Sequence, residues 1–491
     1  MGGENDELLD ADARHFLRRT GFGALKRDFD QIRSAHETRG HAADRFLAFA
    51  AKPPRFRPNG RDFSSAHNKW IKTLIRPRAP LQAKLVLFWH DHFSTAFAKV
   101  QDVALMADQI ELLYTQCAGD MRVLVKSINK NPAMMEFLDT VRNRKAIPNE
   151  NYARELQELF TLGVEDFAGN PNYTQEDIVQ IARAFTGWDY DRDAFLDDNR
   201  HDFMDDFPAR GPKVIYKTTG GFGPGGRSFT VNGEGEAEID TVIDIIFQHR
   251  DTDGKNTVAR RTARRLLEYF AHPDPDDAVV DEVVMNSGFD TNFNIAGLVR
   301  AILVHDAFYE SGAAAPFTAS TKKSVKWPVD FLVSTVRLLN IKLKGKDQTL
   351  EGGNFASALD HLSNMGQVLM DPPSVFGWDW ETSWISSATL LARYGFARDL
   401  TAARGRGGTS FRPERLVDLG TRTAGAIVDD VTDVLGVTDQ LSGSERGALV
   451  QYVSDGGGAN ATVDLDDYDV RNTKLHGLFA LVMQSPAYQL H

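Results

Sequence analysis

Apolar positions recur at i, i+3, i+4 and i+7 along most of the chain, the period of a helix with one buried face. The pattern runs through LQAKLVLFWHDHF (81–93), DVALMADQIELLYTQC (102–117), YARELQELFTL (152–162), EDIVQIARAFTGW (176–188), TARRLLEYF (262–270) and AGLVRAILVHDAFY (296–309). It continues in WPVDFLVSTVRLL (327–339), RLVDLGTRTAGAIVDDVTDVL (415–435) and LHGLFALVMQS (475–485). The pattern predicts an all-α protein. Prolines mark where helices begin: Pro80 heads the first run, and Pro148 precedes Asn149, a residue suited to capping a helix.

One stretch departs from this period. Residues 189–235 are first acidic, then glycine-rich, and KVIYKT and SFTV flank the turn TTGGFGPGGRS. That pattern predicts a small β-hairpin around 212–232. With softer breaks at 310–324, 401–412 and 454–465, the chain divides into an N-terminal helical region with a candidate site (1–188) and the insertion (189–235). A central helical region with a tryptophan loop (236–400) and a C-terminal helical region (401–491) follow.

Charge narrows the partners. A formal net charge of −12 and a pI near 5.6 suit a chain that does not neutralise phosphates, so nucleic acid is not an expected partner. Two basic runs stand out, RTARR (261–265) and RGRGG (404–408); the first is expected to be a solvated helix face laced with salt bridges, the second a loop. The single cysteine, Cys117, is expected to be a buried, inert thiol. No apolar run approaches the ~18 residues of a membrane span. The acidic N-terminus lacks the basic-then-apolar pattern of a leader, so the sequence as written predicts a cytoplasmic protein. The glycine-rich turn lacks GK[ST] and the dinucleotide spacing, so neither a nucleotide nor a flavin is expected. Nor is there a GxSxG or HExxH motif.

The candidate chemistry lies in four blocks. In FWHDHFS (88–94), at ~100° per residue, Leu85, Phe88, Trp89 and His92 share one helix face while His90 points roughly opposite. The two histidines would share an ion only from a frayed helix end. In IPNENYARELQELFTLG (147–163), Tyr152, Leu156, Leu159 and Gly163 make the expected buried stripe, with Glu155 at its margin and Arg154 and Glu158 outward. A carboxylate at a buried margin needs a partner: an arginine in the plain reading, a histidine or divalent metal in the sharper one. The acidic insertion, with His201, reads as a solvated loop rather than a calcium site. In MGQVLMDPPSVFGWDWETSWISSATLLARYGFA (365–397), Trp378, Trp380 and Trp384 follow a stiff Pro372–Pro373 turn, and form either a plug against the helices or a flat ligand platform.

These blocks, in this order, resemble a large bacterial family known as domain of unknown function 1800. The resemblance begins at ARHFLRRTGFGA, includes YTQEDIVQIARAFTGW and QHRDTDGKNTVARRTARRLLEYF, and ends at LFALVMQSPAYQL. It implies a helical protein. Many relatives are exported and encoded beside a sulfatase- and phosphatase-like family, which implies a protein partner of that kind. The family's recurring blocks contain His90, His92, Asn149, Glu150, Asn151, Tyr152, Arg154, Glu155, Trp188, His201 and Trp378 as they stand here.

The resulting expectation is a polar pocket between helices 80–95 and 149–163, roofed by the 189–235 insertion and the tryptophan loop. As a hydrolase it would use His92, Glu155 and Arg154, or a divalent metal on His90, His92, Glu155 and His201. Asn149, Asn151, Tyr152, Trp188, Trp378 and Trp384 would contact a ligand. The alternative is a non-catalytic helical binding or assembly partner whose same residues form a buried network.

Overall fold

Helical periodicity is realised along most of the chain. The computed structural model describes residues 3–49, 56, 62–206, 208–229, 235–310, 323–344, 349–350, 357–402 and 411–491. Helices dominate, and the β-structure consists of short antiparallel two-stranded pairs. The predicted hairpin is present as Val214–Ile215 paired with Arg227–Ser228. The RGRGG run lies outside the described residues. One buried apolar cluster extends from Leu8 to Leu490, and no helix among the described residues is long and apolar enough to cross a membrane.

At the centre is the helix Pro80–His92. Pro80 occupies its first turn, where a missing N–H costs nothing. Every residue from Leu81 to His92 is buried, so the helix has no solvent face at all. Trp89 donates its indole N–H to the Cys117 carbonyl at 2.8 Å, and Lys84 forms a buried ion pair with Asp330. Cys117 is buried as expected, and burial pushes its thiol up to about 12.

Two segments depart from the periodic reading. The 152–162 run starts as an α-helix, Asn151–Glu155, then loosens into a π-helix over Leu156–Thr161. The extra residue per turn moves Phe160, rather than Leu159, onto the buried line with Tyr152 and Leu156. Asn149 accepts from Asn151 N–H at 2.9 Å but sits one residue before the Glu150 cap position. The 415–435 run is only half helical: Thr421–Thr423 pairs with Thr462–Asp464, and the helix is Ala424–Val434. Gly420, at φ +95°, and two β-branched threonines break the helix there.

The acidic insertion is more ordered than a solvated loop. Trp188–Tyr190 pairs with Ala194–Leu196 in a second hairpin. Arg200 bridges Asp189 (2.6 Å) and Asp197 (2.5 Å), and the buried Asp202 receives Arg183 (3.0 Å) and Arg210 (2.6 Å). Three of its aspartates, Asp189, Asp197 and Asp202, are thus paired with arginines of the insertion itself.

Candidate functional site

The C-terminal end of the central helix meets the π-helix, the helix Thr257–Phe270 and the tryptophan loop around a cleft of about 600 Å³. Helix phase separates the two histidines as expected, and each is fixed by a different backbone group. His90 accepts from Met370 N–H through Nε2 (3.0 Å), with its ring edge-on to Trp70. His92 lies 3.1 Å from the Phe160 carbonyl through Nε2. A carbonyl only accepts, so His92 carries its proton on Nε2 and keeps an Nδ1 lone pair, whereas His90 carries its proton on Nδ1. Burial holds both rings down to a pKa of about 3; for His92 the neighbouring Arg265 adds to this.

Asp91, between them, shapes the site most. It accepts the backbone N–H of Trp378 and the indole N–H of Trp380, both at 2.9 Å. Gly377, at φ +80°, passes so close to the carboxylate that a Cβ would collide with it. Burial pushes Asp91 up to a pKa of about 6, although the Trp378 N–H and Arg265 oppose the shift. The tryptophan loop is thus a plug pinned from behind, and Trp378 and Trp380 also form a wall of the cleft.

The opposite wall is basic. Arg261, Arg264 and Arg265 project from one helix into the cleft lining. Arg265 lies 3.9 Å over the Trp380 ring and pairs with Glu268 at 3.1 Å. Arg264 pairs with Asp277 and covers Phe167 at 4.2 Å. Arg261 donates to the Glu158 carbonyl at 2.8 Å. The expected solvated face is therefore a partly buried wall, because the tryptophan loop and the 156–167 segment fold over it. The type signal, three arginines within five positions, was legible; its burial was not.

The predicted site residues do not come together as one constellation. His92 lines the cleft, with Trp378. Glu155 is half-buried, and its electrostatic neighbours are Glu158 and Arg154, with burial raising its pKa. Arg154 pairs with Glu150 (3.2 Å) and Glu158 (3.5 Å), away from the cleft lining. His201 lies fully buried elsewhere, with Nδ1 2.8 Å from the Thr186 carbonyl and Nε2 3.1 Å from Glu238. His90, His92, Glu155 and His201 form no shared ligand set, and no group of three or more His, Cys, Asp or Glu side chains suited to a metal occurs among the described residues. Nor does the insertion roof the cleft: no described residue of 189–235 lines it.

The other predicted contacts have structural surroundings. Tyr152 bonds Asn129 through its hydroxyl, Asn151 donates to the Leu138 carbonyl at 3.3 Å, and Trp188 is buried beneath Lys130. Trp384 packs 6.1 Å from Trp327. Sequence reasoning did not single out Glu165, Phe376 and Asp379, which stand exposed at the rim, or Glu268.

No curated protein and no solved structure matches the chain. The model of one family, described as a protein of unknown function (DUF1800), matches residues 15–490, nearly the full length, and the chain belongs to that family.

Proposed function

We propose that the chain binds a small molecule in the cleft between His92, the Arg261–Arg265 helix face and the tryptophan loop. The observation that supports this most is the pinned wall. Two tryptophans face an accessible volume of about 600 Å³ while Asp91 holds them from behind. A wall fixed before binding spares the ordering cost that a mobile loop would incur. The occupant suited to it has a flat or apolar face. A neutral fluorescent probe, N-phenyl-1-naphthylamine, tests the reading by energy transfer from tryptophan. Saturable one-to-one binding that Trp378→Leu weakens is expected; no saturable binding, or binding indifferent to both Trp378→Leu and Trp380→Leu, overturns it.

A hydrolytic reading is second, and one observation favours it: the Nδ1 lone pair of His92 belongs to a residue lining the same cleft. With a pKa near 3, that imidazole is a weak base in the free protein. Hydrolysis would require the bound substrate to raise it. Turnover of p-nitrophenyl esters or phosphates that His92→Gln removes, with probe binding retained, is the result that would support this reading. Turnover unchanged in His92→Gln overturns it.

A further inference from the structure

Among the three arginines of the cleft lining, Arg261 is the one without an ion pair among the described residues. Arg264 has Asp277, and Arg265 has Glu268 at 3.1 Å and Asp91 at 3.9 Å. Arg261 has no carboxylate within ion-pair distance among the described residues, and its Nε is buried without a hydrogen-bond partner. One of its five N–H groups, on Nη2, reaches the Glu158 carbonyl near the end of the π-helix. That bond, and the negative end of the helix dipole, account for part of its placement. They do not use the remaining fork, and a partly buried guanidinium with no carboxylate bonded to it is costly.

Three further features converge on this group. Arg265 lies four positions along the same helix face, so two cationic groups adjoin, and the nearby carboxylates Glu268 and Asp91 both lie against Arg265. The approach to Arg261 depends on Gly163, where a Cβ would stand 2.6 Å from Nη1. Finally, the carboxylates Glu165 and Asp379 stand exposed at the rim, while burial pulls Arg261 down to a pKa of about 10. Inside that rim the other carboxylates are engaged: Asp166 by the Ala168, Asn170 and Thr252 N–H groups, Asp277 by Arg264 and Glu268 by Arg265.

We propose that Arg261, supported by Arg265, forms an oxyanion subsite that takes a carboxylate, phosphate or sulfate group of the ligand, with the ligand's flat part against Trp378 and Trp380. The planar guanidinium fork suits any of these anions through paired hydrogen bonds. This rests on the small-molecule reading of the cleft and adds the chemical class of the occupant.

The test pairs two probes that differ by one anion: N-phenyl-1-naphthylamine and its sulfonate, 8-anilino-1-naphthalenesulfonate. The sulfonate is expected to bind at least about tenfold tighter than the neutral probe. In Arg261→Gln that preference should fall to within about twofold while neutral-probe affinity holds; Arg154→Gln, outside the cleft, should keep it. Arg261→Lys, which keeps the charge and loses the fork, should retain part of the preference. Inorganic phosphate, sulfate and acetate, titrated against the bound sulfonate, rank the anion classes, and each is expected to leave the neutral probe in place. Equal binding of both probes by the unaltered protein, or a preference that survives Arg261→Gln, overturns the subsite while leaving the cleft intact. Loss of both probes in equal measure in Arg261→Gln shows a packing role and also overturns it. Failure of either probe to bind the unaltered protein removes the cleft reading and the subsite together.

Discussion

Two regions of this molecule hold nearly the same residue types and do different things with them. Beneath the insertion, Lys213, Glu238 and His201 are all fully buried, with Lys213 within 2.6 Å and His201 within 3.1 Å of the Glu238 carboxylate. Beside them Arg183 spends its guanidinium on Asp202, Gln180 and the Gly211 carbonyl. In the cleft, arginines, carboxylates and a histidine also gather, yet among the described residues Arg261 has no carboxylate in ion-pair distance, and His92 is held through Nε2 alone. The first region closes on itself and holds the insertion to the body. The second leaves polar capacity over, facing accessible volume. Residue type does not separate structure from site; how the pairs close does.

The comparison breaks most visibly under Glu238→Ala. Removing that carboxylate leaves Lys213 buried without a counterion, which is expected to destabilise by about 3–5 kcal/mol. Thermal unfolding should show a large fall in Tm or loss of folded protein. Arg261→Gln should move Tm little, because it relieves an uncompensated charge instead of creating one. Equal losses in the two variants would erase the distinction between knot and cleft.

Next in size is Asp91→Ala, which orphans the Trp378 N–H and the Trp380 indole N–H. A loss of about 2–3 kcal/mol is expected from one buried and one part-buried donor left unmet. The sharper readout is near-ultraviolet circular dichroism, which should lose tryptophan signal as the wall is released. A variant that keeps this signal and binds the neutral probe normally would show that the wall stands without its pin.

Acid separates the pinned histidines from ordinary ones. His90 titrates near 3 in the native state against a usual value of 6.5. The unfolded chain therefore takes up a proton that the native state refuses, and stability from this group is lost as pH falls from about 6.5 toward 3. At about pH 5 the loss is about 2 kcal/mol for such a group. Asp91 acts in the opposite sense: its raised pKa, about 6 against 3.8, stabilises on acidification and is lost as pH rises through 6. His90→Gln, whose amide oxygen still accepts from Met370 N–H, isolates the first effect. The stability difference between about pH 7 and pH 5 should shrink by about 2 kcal/mol, read from urea midpoints at each pH. An unchanged difference would place the proton uptake elsewhere.

Legibility in the sequence followed the range of the interactions. Helix period placed Pro80–His92 and separated its histidines, because both depend on neighbours within four positions. That both faces of this helix are buried depends on Trp70, Met370 and Trp378, far away in the chain, and periodicity carries no sign of them. The π-helix at 156–161 shifted the buried line by one residue, a change that a fixed 100° step misses. The structure places His92 and Trp378 in one cleft lining, beside Leu159 and Leu162 of the 149–163 segment. The sequence carries no sign of what Asp91 does, because its partners, two N–H groups of the tryptophan loop, come from almost three hundred residues away. The arginines at 261–265 were conspicuous, yet only the fold over them turns a solvated face into a basic wall.

The smallest expected effect bears on the cleft most directly. Gly163 ends the π segment at φ +84°, a conformation that alanine adopts at a cost of about 1 kcal/mol. The stability loss of Gly163→Ala should therefore be modest, a Tm shift of about 2 °C or less in a chain of this size. Its new Cβ, however, would stand 2.6 Å from Arg261 Nη1, and the guanidinium must move. Its anchor on the Glu158 carbonyl would be lost or redirected, so the sulfonate probe should weaken while the neutral probe, held by Trp378 and Trp380, should not. This variant leaves every charge in place, unlike Arg261→Gln. A matching loss of anion preference would mean that position, not the mere presence of a positive charge, makes Arg261 the anion's partner. An unchanged preference would move the anion to Arg265 and its stack on Trp380, and would make Arg261 a strut for the π-helix.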